Sequence, residues 1–458
     1  MKNIDLINHK KILSYTLWQY LSKIFLIILT LYAFLFLFGD NSNQYASLIS
    51  SSFIFLLITV FATKILLKEN KWNIFFIVAY ISKIFIGVGH YIFFIDSNYF
   101  EGQGHYKALT YEFESVYLAI TNFASLKLEQ GLFYFDAEST LATHPEILSL
   151  ISIPFMFLGD FVLTISPINT FFSLLTSINI ILISKYKYNF SDEKLKHIAI
   201  ATAYFPITLI TSLLWRDVIG FSLMSIGITM IILSRRSLTQ YFVLICAGYL
   251  FYLQRTVYPI LLVLAFGTNI VFNKNFRTSN IQKIYRYITI IIICFSIPEI
   301  YNLANTESNI ALARGMFNLN PIFLPFKFII GLIGPFPWTN FLLYELFPAN
   351  AYQLQDFLQG TFNISFVIVM FKNKFFVRKN LNLLNIIGIF LVASGLLNEY
   401  MHMPYLSFGL IFLIPWMFNA IKLSKFITIY IRVFIALIAL NIVIINIIGN
   451  LGLSNLWR

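Results

Sequence analysis

Asp96 and Glu101 stand five residues apart in "FIDSNYFEGQGHYKAL", directly after an apolar run long enough to cross a membrane. A third carboxylate, Asp217, follows Arg216 in "SLLWRDVIGFS", and these two are the sole formal charges between Lys196 and Arg235. Carboxylates held at the edge of hydrocarbon can accept a proton from an attacking hydroxyl. Asp96, Glu101 and Asp217 are therefore the candidate catalytic residues. Arginine's planar donors match phosphate oxygens, which suits Arg216, and Arg255 in "YLQRTVYP", to substrate binding. His402 in "NEYMHMPYL" and the aromatic residues Tyr106 and Trp338 complete the candidate substrate-binding set. Ionisable groups so near hydrocarbon are costly, and that cost makes each a functional candidate. Each also has a plainer alternative. Asp96 could mark where a span leaves the membrane, Arg255 could snorkel to headgroups, and a lone histidine is commonly structural. Lys83 and His90 share one face of an early span; they are read as internal packing and kept out of the site.

The elements that must position these residues are membrane helices. The chain is 59% hydrophobic and 11% charged, with 50 Phe among 458 residues, too apolar for a soluble exterior. Apolar runs of membrane-crossing length recur from end to end without the alternation of a β-barrel, so the spans are helical. The fold expected is an all-α polytopic membrane protein with about 13 transmembrane helices, within 12–14. The spans run over about 17–38, 47–67, 74–95, 167–184, 197–214, 218–234, 239–253, 257–272, 287–304, 358–371, 381–398, 404–421 and 427–449. The first is too long for a signal-peptide core and no small-residue cleavage site follows, so it is read as retained. Cys246 and Cys294 both fall in apolar runs and imply no disulfide framework.

Basic residues orient the chain. With the N-terminus in the cytoplasm, 22 of the 32 Lys and Arg fall on cytoplasmic connections or their edge and seven on the opposite side. Short basic loops resist translocation, so this split fixes the expected orientation. Sixteen of the 20 acidic residues lie on the external side. Residues 147–166, "ILSLISIPFMFLGDFVLTIS", are apolar enough to span, but counting them would invert every later loop. They are expected to lie on or dip into the outer leaflet. Arg216 and Asp217 then form the tight external turn between two spans. The net charge of +12 sits in short clusters between spans, which excludes nucleic acid as a partner and makes membrane lipids the surroundings.

Five regions follow: N-terminal helices 1–95, an external acidic loop 96–166 with juxtamembrane helices, a central bundle 167–304, an external or re-entrant loop 305–357, and C-terminal helices 358–458. Three prolines in the second loop, Pro335, Pro337 and Pro348, rule out one continuous spanning helix there. Together the two loops would cover one outward-facing cavity. No Walker loop, GxGxxG, HExxH or CxxC occurs, so nucleotide-driven transport and zinc chemistry have no sequence support.

The order of these features resembles the multi-spanning glycosyltransferases of the C superfamily. The resemblance rests on "FIDSNYFEGQGHYKAL", on "THPEILSLISIPFMFLGD", and on "IAIATAYFPITLITSLLWRD", a short span ending in a proline-containing segment before an external acidic residue. The later "LQRTVYP", "GPFPW" and "EYMHMPYLSFG" are similar to pieces of O-antigen polymerases. The similarity covers about residues 90–410 and is one of layout, with two extra spans before the acidic loop and Asp96 and Glu101 as rivals for the principal carboxylate. It implies a GT-C-like fold in a bacterial inner membrane, working on the periplasmic face in cell-surface polysaccharide assembly. The implied donor is a polyprenyl-(di)phosphate-linked sugar, and the acceptor a lipid-linked or glycan hydroxyl. No cofactor is required, because the lipid-phosphate bond carries the transfer potential; carboxylates and water would suit magnesium or manganese. The alternative function is a flippase for lipid-linked oligosaccharides.

Overall fold

Thr16 opens the first helix with a reciprocal cap. Its hydroxyl accepts from the Gln19 N–H while the Gln19 side chain accepts from the Thr16 N–H. The helix then runs without a charge-driven stop to Gly39, where glycine allows the backbone to pass close to Phe157. The computed structural model describes residues 16–90, 119–132, 134, 145–159, 161–209, 216–234, 237–253, 258–272, 351–373, 382–397 and 403–450. Every regular element among them is helical. In chain order they are α1 (Leu17–Phe38), α2 (Gln44–Leu67), α3 (Asn70–His90), α4 (119–130), α5 (Pro145–Leu158), α6 (Ile165–Tyr186), α7 (Asp192–Ala203), α8 (Arg216–Leu233), α9 (Ser237–Tyr252), α10 (Tyr258–Phe272), α11 (Ala351–Lys372), α12 (Leu383–Leu397), α13 (Met403–Ala420) and α14 (Leu423–Asn450).

Five stretches, Leu17–Phe38, Gln44–Leu67, Asn70–Gly89, Ile165–Tyr186 and Leu423–Leu440, are long and apolar enough to cross a membrane. The protein is a helical membrane protein. α6 is its axis: 94% of its apolar window is buried, against 11% for α1 and 17% for α14. The outer helices instead present Phe25, Phe36, Ile431 and Ile435 outward, as lipid contact requires. Eleven of the thirteen expected spans overlap a described helix over most of their length, the one at 197–214 does so only over its first seven residues, and the one at 287–304 lies outside the described residues.

Two expectations need correction. The span placed at 197–214 leaves the α-helix after Ala203. The chain turns at Tyr204 and passes through a 3-10 turn at Pro206–Thr208. Proline lacks an N–H and pushes the preceding residue out of the helical region, and Phe205 is accordingly extended at φ −61° and ψ 125°. Arg216 and Asp217 do not form a tight turn; they are the first two residues of α8. The stretch at 147–166 is likewise resolved into α5, a 3-10 turn at Val162–Thr164, and the first residues of α6.

Among the described residues, the basic connections between α2 and α3, α6 and α7, and α13 and α14 gather at one end of the bundle. Glu69, between α2 and α3, pairs with Lys71 at 2.7 Å and with Lys185 of α6 at 2.5 Å, and Lys71 also reaches Asp192 of α7 at 2.7 Å. Lys194 donates to Asn419 at 2.7 Å, Tyr188 donates to Asn382 at 3.1 Å, and Lys422 lies 3.8 Å from Glu193. At the opposite end, the Ser47 hydroxyl donates to the Leu158 carbonyl, so α5 is tied to the α1–α2 hairpin. Partial burial pulls the Glu69 carboxyl upward, but the hydrogen bonds and charges of Lys185 and Lys71 outweigh it and hold it below its ordinary value. A depressed carboxyl contributes stability above its unfolded pKa and loses that contribution as pH falls through its folded one. Glu69→Gln is therefore expected to melt below wild type at neutral pH. The gap should narrow as the pH falls below the ordinary carboxylate value of about 4 and close below the depressed folded value. A thermal series in detergent across that range checks it; a constant gap would mean that Glu69 acts by packing alone.

Candidate functional site

α6 carries a polar face unusual for a membrane helix: Ser166, Asn169, Thr170, Ser173 and Ser177 recur at three- and four-residue spacing, and all are buried. At that spacing they lie along one side of the helix. Their neighbours show why they are tolerated. The Ser177 hydroxyl bonds the Thr202 hydroxyl of α7 at 2.5 Å, and Asn179 links Tyr20 of α1 to Ser225 of α8, both at 2.9 Å. In a bundle whose outside is lipid, such bonds join helices where apolar packing alone gives little selectivity.

Lys83 of α3 is wholly buried in this seam. Its ammonium nitrogen donates to the Ser173 hydroxyl at 2.5 Å, to the Thr208 carbonyl at 2.7 Å and to the Thr208 hydroxyl at 3.0 Å. Thirteen residues beyond Asn70, it sits about 20 Å along α3 at 1.5 Å per residue. That depth lies in the half of the bundle nearer His90. The contact falls on the broken end of α7. A helix that stops inside a membrane leaves backbone groups that only protein or enclosed water can satisfy. Lys83 satisfies the Thr208 carbonyl from one side. Gln359 of α11 approaches from another, its Oε1 accepting from the Ile207 N–H at 3.0 Å, and its Nε2 donates on to Asn363 at 2.8 Å. Ser82, next to Lys83, meets the Tyr204 hydroxyl at 3.1 Å.

Of the residues named from sequence, Asp96, Glu101, Tyr106, Arg255, Trp338 and His402 lie outside the described residues. Arg216 and Asp217 are described as backbone only, in the first turn of α8. Thr208, eight residues earlier in the chain, is the described anchor nearest before them in sequence. Lys83 pairs internally, as expected. Sequence reasoning missed its partners Ser173 and Thr208 and the role of Gln359. The hydroxyl stripe of α6 was the signal that could have directed attention there. Among the described residues no group of three His, Cys, Asp or Glu side chains gathers as a metal site would need. Comparison with protein-family models, with curated proteins and with solved structures gave no match to this chain.

Proposed function

We propose that this protein is a glycosyltransferase or polysaccharide polymerase of a bacterial inner membrane, with about 13 spans and a GT-C-like layout. It would transfer sugar from a polyprenyl-(di)phosphate-linked donor to a glycan or lipid-linked hydroxyl on the external face. The observation that supports this most is the run from α3 to α7. An early span leads into the acidic segment, α5 packs at the end of the bundle away from the basic connections, α6 crosses, and α7 stops short at a proline-containing break. With the basic end in the cytoplasm, the acidic loop and the carboxylates Asp96, Glu101 and Asp217 belong to the external face. One carboxylate takes the acceptor proton, and the arginines Arg216 and Arg255 hold the donor phosphate. His402, Tyr106 and Trp338 are assigned to substrate binding on that face, and a magnesium or manganese ion would suit its carboxylates.

A flippase is the second reading. An interrupted helix beside a buried lysine is the kind of feature that transporters place at membrane depth. Surface polysaccharide from a deletion strain separates the two. Loss of long chains with single repeats retained means polymerisation, a truncated repeat means sugar transfer, and absence of surface material means flipping.

Orientation is checked separately. Single cysteines at Ser139 and Ser191 are expected to react oppositely with a membrane-impermeant thiol reagent in intact spheroplasts, position 139 labelled and position 191 protected. The reverse pattern would overturn the map and the site with it. Arg255→Lys tests donor binding, since it keeps the charge and loses the planar fork. Turnover should fall and apparent donor affinity weaken, whereas a lipid-anchoring arginine would tolerate lysine without loss.

A further inference from the structure

We infer that Lys83 is a positioning residue: together with Gln359 it locks the unwound Phe205–Leu209 segment and so fixes the start of the stretch that leads to Arg216 and Asp217. The break at Pro206 costs α7 its continuing hydrogen bonds. Short-range bonds repair part of this loss, with the Thr208 and Leu209 N–H groups donating to Phe205 and Pro206 at 2.9 and 3.0 Å. The outward-facing Thr208 carbonyl and Ile207 N–H have complementary needs, one an acceptor and one a donor. Lys83 meets the first with a pure donor, and Gln359 meets the second with its amide oxygen. Ser173 orients the amine from α6, and the Gln359–Asn363 bond orients the amide within α11. Three helices thus grip one non-helical segment, and all four side chains are buried.

Burying a lysine at this depth is expensive, and a purely apolar contact would cost less. The amine is retained where a free carbonyl requires it. Phe205 packs edge-on against Phe362 of α11 at 5.1 Å, so the segment is also fixed sterically on the Gln359 side. From Thr208 only seven residues lead to Arg216. An error in the direction or depth of the break is therefore passed on to the α8 start. Only the role given to Arg216 and Asp217 rests on the glycosyl-transfer reading; the lock does not.

The test is amide hydrogen exchange on the full-length protein in nanodiscs, read on a peptide covering residues 204–209, with a peptide from α2 as reference. Lys83→Met and Gln359→Leu are each expected to speed exchange in 204–209 by about tenfold or more, through local opening, while α2 stays unchanged. Ser173→Ala, which loosens the amine without touching the break, should give a smaller increase, and it keeps the test valid if Lys83→Met does not fold. Wild-type exchange in all variants that fold would overturn the lock. Turnover should fall in the same variants with apparent donor KM nearly constant, and Lys83→Arg should not restore it, because a wider planar head must be forced in where the lysine is already wholly buried. Faster exchange with unchanged turnover would overturn the positioning role. If wild type transfers no sugar while the exchange result holds, the glycosyltransferase reading fails and the lock stands.

Discussion

A protein carrying both Asp96→Asn and Glu101→Gln is expected to lose glycosyl transfer by about 100-fold or more while still inserting into the membrane. The amides keep the size and hydrogen-bonding shape of the side chains and remove their basicity. A proton leaving an acceptor hydroxyl then lacks the two carboxylates assigned to receive it. The single variants divide the work: whichever of Asp96→Asn and Glu101→Gln accounts for most of the loss identifies the principal base. Asp217→Asn should cost less, since that residue is assigned to orienting the acceptor beside Arg216. The measurement is transfer from a polyprenyl-diphosphate donor by purified protein, with insertion checked by the thermal transition. Wild-type turnover in the double variant would remove both residues from the chemistry.

The largest effect expected on stability comes from a methyl group. α12 and α13 cross at Gly388 and Gly409, and a Cβ on Gly409 would collide with the Gly388 carbonyl and with Val392, backbone included. Backbone cannot swing aside as a side-chain tip can, so Gly409→Ala must push the helices apart. Overpacking of this kind costs about 1–3 kcal/mol. Gly388→Ala should be milder. Its new Cβ would meet the Leu413 side chain at 2.7 and 2.8 Å and the Gly409 carbonyl at 3.0 Å, so the closest clashes are with a side chain and not with backbone. Gly89→Ala is the control, because among the described residues nothing lies within 4 Å of its added carbon. It should be neutral or slightly stabilising, as alanine in a helix generally is relative to glycine. Melting in detergent should therefore rank Gly409→Ala lowest, then Gly388→Ala, with Gly89→Ala at or above wild type. Equal melting of Gly409→Ala and wild type would contradict the close crossing.

The sequence by itself determined the membrane class and the extent of several of its helices. The first expected span, 17–38, coincides with α1, and those at 239–253 and 257–272 agree with α9 and α10 to within two residues at each end. A bilayer rewards apolar length directly, so hydropathy alone sets where such helices begin and stop. Charge was legible in part: among the described residues, the basic connections between α2 and α3, α6 and α7, and α13 and α14 meet at one end, joined through Glu69, Asp192 and Glu193. What hydropathy could not decide was the run after Ala203. "YFPITLITSLLW" is as apolar as the spans around it, yet the chain leaves the helix there. Pro206 was visible, but an unwound segment at that depth survives only where other helices supply its missing hydrogen bonds. Lys83 and Gln359, distant in the chain, supply them, and Ser173 holds the lysine amine in place. Only the tertiary structure decided that Lys83 meets Thr208, because a side chain's partner across the bundle depends on how helices pack, and that is not written in the spacing of either residue.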